Sequence, residues 1–600
     1  VSFRDRTLFS EQFGDVYFSL DGGLEETRHV FLAGNGLPGR FAGRRVFTIL
    51  ELGFGSGLNF LAAWQAFREH ASADARLHFV STEKHPFLRA DLEQVHSAWP
   101  EFGELSAALL VNYPPLQSGF HRLRFDGGKV ALTLLFGDAL ETLRELEASV
   151  DAFFLDGFAP SRNPEMWSAE LFAELRRLAA PGATAATYSV AGGVRQGLAR
   201  AGFAVEKRQG FGRKREMLLG RVEGVEPARS VSNRQVTVVG AGIAGASCAL
   251  ALARCGFDVD LLESGPVPAL AASSNPAGLV RPFINLEQGA RSRFTWAAFN
   301  YAARHYRALA EFNRAAWSQT GVLQLARDPE HLKKLERALS ELSISETLAR
   351  VVDSNEGSVL CGARVAEPGV WFPGSGWLAG RAASEAMLHV AGPKVRLRTE
   401  VTVGAIERTG GDFLVRDKNG EAVSNATHVV LANGHQAAAL LNDRDIELRP
   451  VRGQVSLVPA RLPWLRAPVC REGYVTPLIG GVHLAGATYD HRSSDADSRE
   501  EDDAANLVRA RRMLPGAFDS VDPRWVNSWV GLRCASQDRR PVLGKISPGL
   551  HGCLALGSRG FTWAPLAAEL VASAIAGEPL PIERSVAAAI SPLRFTSRTG

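Results

Sequence analysis

Short apolar runs, each closed by glycines and followed by a helical apolar period, occur at three places along the chain. The first, VFTILELGFGSGLNFLAAWQAF (46–67), reads as a buried strand, a compact turn at Gly53, Gly55 and Gly57, and an amphipathic helix. The second, VTVVGAGIAGASCALALARCGFDVDLLES (236–264), opens with four β-branched residues and turns at Gly240, Gly242 and Gly245. It continues as a helix over 246–255 and ends in a second strand closed by Glu263. The third, GCLALGSRGFTWAPLAAELVASAIAG (552–577), is a strand, a turn holding Gly557 and Gly560, and a helix starting near Pro565. Between the first two lie LHFVSTE (77–83), LTLLFGDALETL (132–143) and VDAFFLDGFAPSRNPEMW (150–167), each an apolar strand pattern that delivers an acid at or just past its carboxyl end.

This succession predicts an α/β chain with two Rossmann-like units. The first covers 1–223, and a polar linker, GVEPARSVSN, covers 224–233. The second covers 234–600, with nucleotide-binding parts near 234–290 and 540–583 and an α+β substrate region mainly between them. A length of 600 residues agrees with more than one core. No internal repeat joins the two glycine motifs, because their spacings differ.

The net charge of +3 excludes a tail-driven nucleic-acid binder but leaves a local basic surface open. Six cysteines without a C-x-x-C pair point to neither zinc nor a disulfide framework, and no metal is expected. With no run of about twenty apolar residues, the expected setting is the cytoplasm, away from membranes.

The two turns ask for different ligands. Gly240, Gly242 and Gly245 fit G-x-G-x-x-G, in which the glycines allow the turn, the approach of a pyrophosphate and close helix packing. Glu263 then stands where a carboxylate accepts from ribose hydroxyls and repels a 2′-phosphate. The G-x-G-x-G turn at Gly53 to Gly57, preceded by Glu51, suits a ligand that brings a carboxylate, an amine and a sulfonium. Glu83 is placed to hold its ribose and Asp138 to lie beside its adenine, which makes S-adenosylmethionine (SAM) the expected ligand. Asp156 follows a buried strand, where a carboxylate can orient an acceptor amine and take its proton. The alternative for Asp156 is a helix-capping role before APSRNP. The run EKRQGFGRKRE (206–216) offers Lys207, Arg208, Arg213, Lys214 and Arg215 to phosphates, or forms an ordinary solvated face.

With ASSNPAGLVRP (272–282) and WVGLRCASQDRRPVLG (529–544), residues 235–583 resemble the glycine oxidase, sarcosine oxidase and D-amino-acid oxidase family. The resemblance implies FAD at the second motif, Arg533 as the clamp of a substrate carboxylate, and Arg559 and Tyr474 as its companions. No third dinucleotide motif would bring a nicotinamide, so oxygen is the expected electron acceptor. FGDVYFSLDGGLEETRHVFLAGNGL (13–37), ELGFGSGLNF, FLDGFAPSRNPEMW and GFGRKREML (210–218), in a chain that places a methyltransferase before an oxidase, resemble the bacterial bifunctional enzymes of tRNA 5-methylaminomethyl-2-thiouridine synthesis. That resemblance implies tRNA as substrate and two steps at wobble uridine 34. The carboxymethyl group of 5-carboxymethylaminomethyl-(2-thio)uridine is removed oxidatively, and the exposed amine is then N-methylated. The competing expectation is an oxidase of small glycine derivatives fused to a metabolite N-methyltransferase.

Overall fold

A computed structural model describes residues 2–4, 7–10, 15–18, 22–157, 160–212, 214–224, 234–284, 289–441 and 445–595, with side chains from residue 22 onward. Arg213 and the linker positions 225–233 lie outside the described residues. The chain divides into two compact units, Val1–Ser232 with Ala576–Arg584, and Asn233–Ile575 with Ser585–Gly600.

The first unit is built on an eight-stranded sheet. From edge to edge its strands are Phe203–Gln209, Glu216–Val222, Ala179–Thr187, Val150–Phe154, Val46–Leu52, Arg76–Glu83, Val130–Phe136 and Gly119–Phe125. The five central strands run parallel, and the outer pairs are antiparallel. Val46–Leu52 is buried along its whole length. Phe47 and Ile49 pack in one hydrophobic cluster and Leu50 and Leu52 in another, the two-residue alternation of a strand covered on both faces. The helix Leu58–His70 buries Phe60, Leu61, Trp64 and Phe67 in the first of these clusters and ends in Arg68 and His70, cations suited to a helix carboxyl end. A separate three-stranded sheet is formed by Ser2–Arg4, Thr7–Ser10 and Asp15–Phe18.

Ala576–Arg584 belongs to this first unit, although the sequence pattern groups all of 234–600 with the second. The reason is ionic. The buried Glu578 carboxylate receives Arg76 Nε at 2.7 Å and stands 3.0 Å from His78 Nε2 and 3.8 Å from Arg124 Nη2. Arg122 Nη2 donates to the Pro579 carbonyl at 2.6 Å. None of these partners is visible in the apolar periodicity that defines the expected boundary.

In the second unit, a six-stranded sheet runs Val395–Arg398, Asp258–Leu262, Gln235–Val239, His428–Leu431, Leu550–Leu554 and Val542–Ser547. All its pairs are parallel except the last. A second, largely antiparallel sheet of eight strands includes Tyr474–Val475, Val482–Gly486, Leu448–Pro459 and Asn527–Ser536, and the helix Glu500–Met513 packs on it through Leu507, Ala510 and Met513. This is the expected α+β region. The glycine-turn helices begin earlier than their sequence patterns suggest, at Ile243 and Gly560. Pro565 therefore lies inside the second helix, where it cannot donate to the Phe561 carbonyl. Tyr306 Oη donates to that carbonyl instead, at 2.6 Å.

Candidate cofactor and substrate cavities

At the carboxyl edge of the first unit's parallel strands lies a cavity of about 810 Å³. Gly53, Gly55, Glu83, Asp138 and Asp156 line it. The turn is held by backbone bonds from Gly53 and Phe54 to the Thr82 carbonyl, at 3.1 and 2.9 Å, with Gly53 and Gly55 at positive φ. Gly57 is not on the wall: a Cβ there would stand 2.7 Å from the Phe54 ring, so its lack of a side chain serves packing. Glu83 accepts from the amides of Gly55 (2.8 Å) and His85 (2.7 Å), which joins the ribose-side acid to the glycine turn. Burial raises its carboxyl above the usual range against these bonds. Asp138 caps the helix Ala139–Glu145 and pairs with Lys84 Nζ at 3.1 Å. Burial opposes ionisation there, but Lys84 and the helix amides prevail and hold the carboxyl below its ordinary value.

Asp156 is the perturbed group of this cavity. Desolvation pushes its pKa up to about 6, opposed by a hydrogen bond from Asn59. Asn59 Nδ2 donates to Asp156 Oδ2 at 2.9 Å and to Glu51 Oε1 at 2.8 Å, and Thr27 Oγ1 donates to Asn59 Oδ1. Glu51 is fully buried and does not reach the cavity wall, and it accepts a second bond from Ser81 Oγ at 2.6 Å. Asn59 lies inside ELGFGSGLNF, where the glycine spacing alone gives it no role. A polar side chain two residues into a helix that buries its apolar face is the available signal.

Of the basic run, Lys207 pairs with Glu216 at 2.7 Å and Arg208 with Glu206 at 2.8 Å, all on exposed strand positions. Lys207, Arg208 and Arg215 do not line the cavity, whereas Lys214 does.

The second unit holds a cavity of about 780 Å³. Gly240, Gly242, Glu263, Tyr474, Arg533, Gly557, Arg559 and Gly560 line it. Glu263 accepts from the amides of Ala241 (2.7 Å) and Gly265 (2.9 Å). Gly245 is off the wall, and a Cβ there would stand 1.7 Å from the Gly240 carbonyl oxygen, so helix and turn touch backbone to backbone. Arg533 donates from Nη1 to the Thr488 carbonyl at 3.1 Å and lies over the Tyr489 ring at 4.3 Å. A side chain at Gly453 would meet this guanidinium at 2.1 Å. Tyr474 Oη donates to the Ala277 carbonyl at 3.2 Å, and burial raises its pKa, which keeps it a donor. Arg559 lies over Phe283 at 4.3 Å. Burial, with Arg281 and Arg291 nearby, lowers its pKa to about 9. Arg281, also on the wall, is a further cation that sequence reasoning did not single out.

All six cysteines are buried and free, and among the described residues no group of His, Cys, Asp and Glu could hold a metal ion. No helix among them is long and apolar enough to cross a membrane.

Comparison with known proteins matches residues 235–574 to the FAD dependent oxidoreductase family and 100–223 to an S-adenosyl-L-methionine-dependent methyltransferase family. The tRNA 5-methylaminomethyl-2-thiouridine biosynthesis bifunctional protein MnmC of Thiobacillus denitrificans is 45% identical over 99% of this chain and 97% of its own length. The chain belongs to this family. The MnmC protein of an Azoarcus species is 43% identical with the same coverage of both chains. MnmC membership makes the chain a bifunctional enzyme, with FAD-dependent oxidoreductase and SAM-dependent methyltransferase domains. Among solved structures, glycine oxidase from Geobacillus kaustophilus shares the fold of the second unit at 23% identity and a TM-score of 0.51, covering 60% of this chain and 99% of that one. L-proline dehydrogenase from P. horikoshii does so at 18% identity and a TM-score of 0.52, over 61% and 98%.

Proposed function

We propose that the chain converts 5-carboxymethylaminomethyl-(2-thio)uridine at the tRNA wobble position to the 5-aminomethyl and then the 5-methylaminomethyl form. The observation that carries this reading is the opposite polarity of the two cavities. The oxidase cavity presents arginines to an anion, and the methyltransferase cavity presents carboxylates to a cation.

FAD fits the donor set of the second unit: a turn whose backbone approaches closely because Gly240 and Gly245 lack side chains, and a ribose-side carboxylate, Glu263, fixed by two amides. Held by these residues, FAD would supply the two-electron acceptor for oxidation of the N–CH2 bond of the glycine unit to C=N. Arg533 holds the glycine carboxylate, its guanidinium already oriented by Thr488 and Tyr489, so little rotamer freedom remains to be lost. Tyr474 remains protonated and turns its one hydroxyl hydrogen from the Ala277 carbonyl to the same carboxylate, while Arg559 adds a second positive charge. Water adds to the C=N carbon, the C–N bond breaks, and glyoxylate leaves a primary amine. Oxygen takes up the electrons, and the reaction belongs to the cytoplasm.

SAM fits the first unit through Gly53, Gly55 and Glu83 and supplies the methyl group. An aliphatic ammonium with a pKa near ~10 carries no lone pair, so the acceptor must lose a proton before it attacks. Asp156, with its pKa at about 6, is a carboxylate at neutral pH and a better proton acceptor than an ordinary aspartate.

The test is mass analysis of wobble nucleosides in tRNA carrying the carboxymethylaminomethyl group. Incubation without SAM is expected to yield the aminomethyl nucleoside, and with SAM the methylaminomethyl nucleoside. Turnover of free sarcosine with no change in tRNA would overturn the proposal in favour of small-molecule substrates.

A further inference from the structure

The methyltransferase cavity already contains an ammonium group. Lys214 Nζ stands 2.7 Å from Glu26 Oε1 and 3.6 Å from the centroid of the Tyr188 ring, and all three residues line the cavity together with Asp156. The ring is fixed in place, because Tyr188 Oη donates to the Gly157 carbonyl next to Asp156. Asp156 is fixed as well: Thr27 donates to Asn59 Oδ1, and Asn59 donates to Asp156. A carboxylate and an aromatic face converging on one point are what a primary ammonium requires, the ring quadrupole and the acid each attracting the same charge.

Lys214 differs in this from its neighbours in the basic run. Lys207 and Arg208 find acids on the exposed strands outside the cavity, so they neither fill it nor shape it. Lys214 is about half exposed, and its ammonium reaches Glu26 and the Tyr188 ring. Its ammonium can therefore leave by rotation of a flexible four-carbon stem. Leaving without replacement would put Glu26 and Asp156 in one cavity with their nearby positive charge removed. An incoming ammonium restores that charge.

We propose that Glu26 and the Tyr188 ring form, with Asp156, the binding site for the aminomethyl ammonium of the acceptor, and that Lys214 occupies this site until substrate displaces it. The inference rests on the methyl-transfer reading above. The acceptor first enters as the cation and then passes its proton to Asp156. In this arrangement Lys214 competes with the substrate ammonium and lowers the affinity for aminomethyl tRNA, while tRNA that offers no cation at the wobble base leaves Lys214 in place.

The experiment compares dissociation constants for two tRNAs, one with the aminomethyl group on uridine 34 and one with unmodified uridine there, using the full chain saturated with S-adenosylhomocysteine, which has no methyl group to transfer. Lys214→Met is expected to tighten the aminomethyl tRNA by roughly fivefold to tenfold, the size of one partly exposed ion pair plus a ring contact, and to leave unmodified tRNA unchanged. Glu26→Gln is expected to weaken the aminomethyl tRNA alone, by a similar factor. SAM affinity, measured in parallel, is expected to be unaltered in both variants and shows that they are folded. Equal weakening of both tRNAs by Lys214→Met, with a shallower salt dependence, would make Lys214 a phosphate contact and overturn the proposal. No change in either variant would overturn it too. If the unaltered protein failed to methylate aminomethyl tRNA at all, the functional reading itself would fall, an outcome distinct from the variant results.

Discussion

The two cavities differ by only about 30 Å³ in volume, and both open at the carboxyl edge of a parallel sheet, yet the balance of charge on their walls is opposite: carboxylates outnumber Lys84, Arg162 and Lys214 in the first, and arginines outnumber Glu263 and Glu472 in the second. In the first unit Glu26, Glu83, Asp138 and Asp156 face the space. In the second, Arg281, Arg533 and Arg559 do. The α/β framework therefore sets where a nucleotide binds, and the side chains beyond the glycine turns set which charge of substrate is admitted. On the proposed reading, a carboxymethylamine enters the oxidase cavity by its anionic end. Once that end is gone, the product has only a cation to offer, and it suits the other cavity.

The largest expected break in this comparison comes from Asp156→Asn. Methyl transfer should fall about 10²–10⁴-fold, the range for loss of a general base, while oxidation continues and the aminomethyl nucleoside accumulates. Arg533→Ala should have the mirror effect. Oxidase kcat/KM should drop on the order of 10²-fold or more, as for a desolvated ion pair that loses one partner, with methylation of aminomethyl tRNA intact. Loss of both activities in either variant, read by nucleoside mass analysis, would contradict the division of charge between the units. Gly245→Ala, whose Cβ would stand 1.7 Å from the Gly240 oxygen, should force the helix off its strand. It is expected to cost about 1–3 kcal/mol and much of the bound flavin, measured by thermal unfolding and visible absorbance.

A finer test uses pH. The Asp156 carboxyl is raised to about 6, and in the proposed mechanism it acts as the carboxylate, so methylation should decline as pH falls through about 6. The Asn59 hydrogen bond holds that pKa down, so in Asn59→Ala the decline should begin at higher pH. A limb that stays in place would remove Asn59 from control of Asp156. The smallest effect belongs to Lys207→Ala and Arg208→Ala. Each loses an exposed pair worth about 0–1 kcal/mol, and stability should stay nearly constant in thermal unfolding.

The features that could be read from sequence were those written in consecutive residues. Glycine spacing, flanked by apolar strands, placed both turns and both units, and the acids that end those strands, Glu83, Asp156 and Glu263, were found with them. What could not be read was assembled across distance. Asn59 matters because it reaches Glu51 and Asp156 at once, 8 and 97 positions away. Lys214 meets Glu26 188 positions away, so within its own segment it looked like one more member of a basic run. The glycines divide in a different manner. Gly245 serves the close helix packing that the motif spacing assigns to its third glycine, and the missing side chain of Gly57 makes room for the Phe54 ring.

The segment Ala576–Arg584 gives the chain an order that its two catalytic motifs conceal. A cut at the linker alone would not yield two finished halves. The amino-terminal fragment would keep Arg76 and Arg124 and forfeit Glu578, the acid that neutralises them. Threaded in this way, the oxidase is inserted into the methyltransferase as much as it is appended to it.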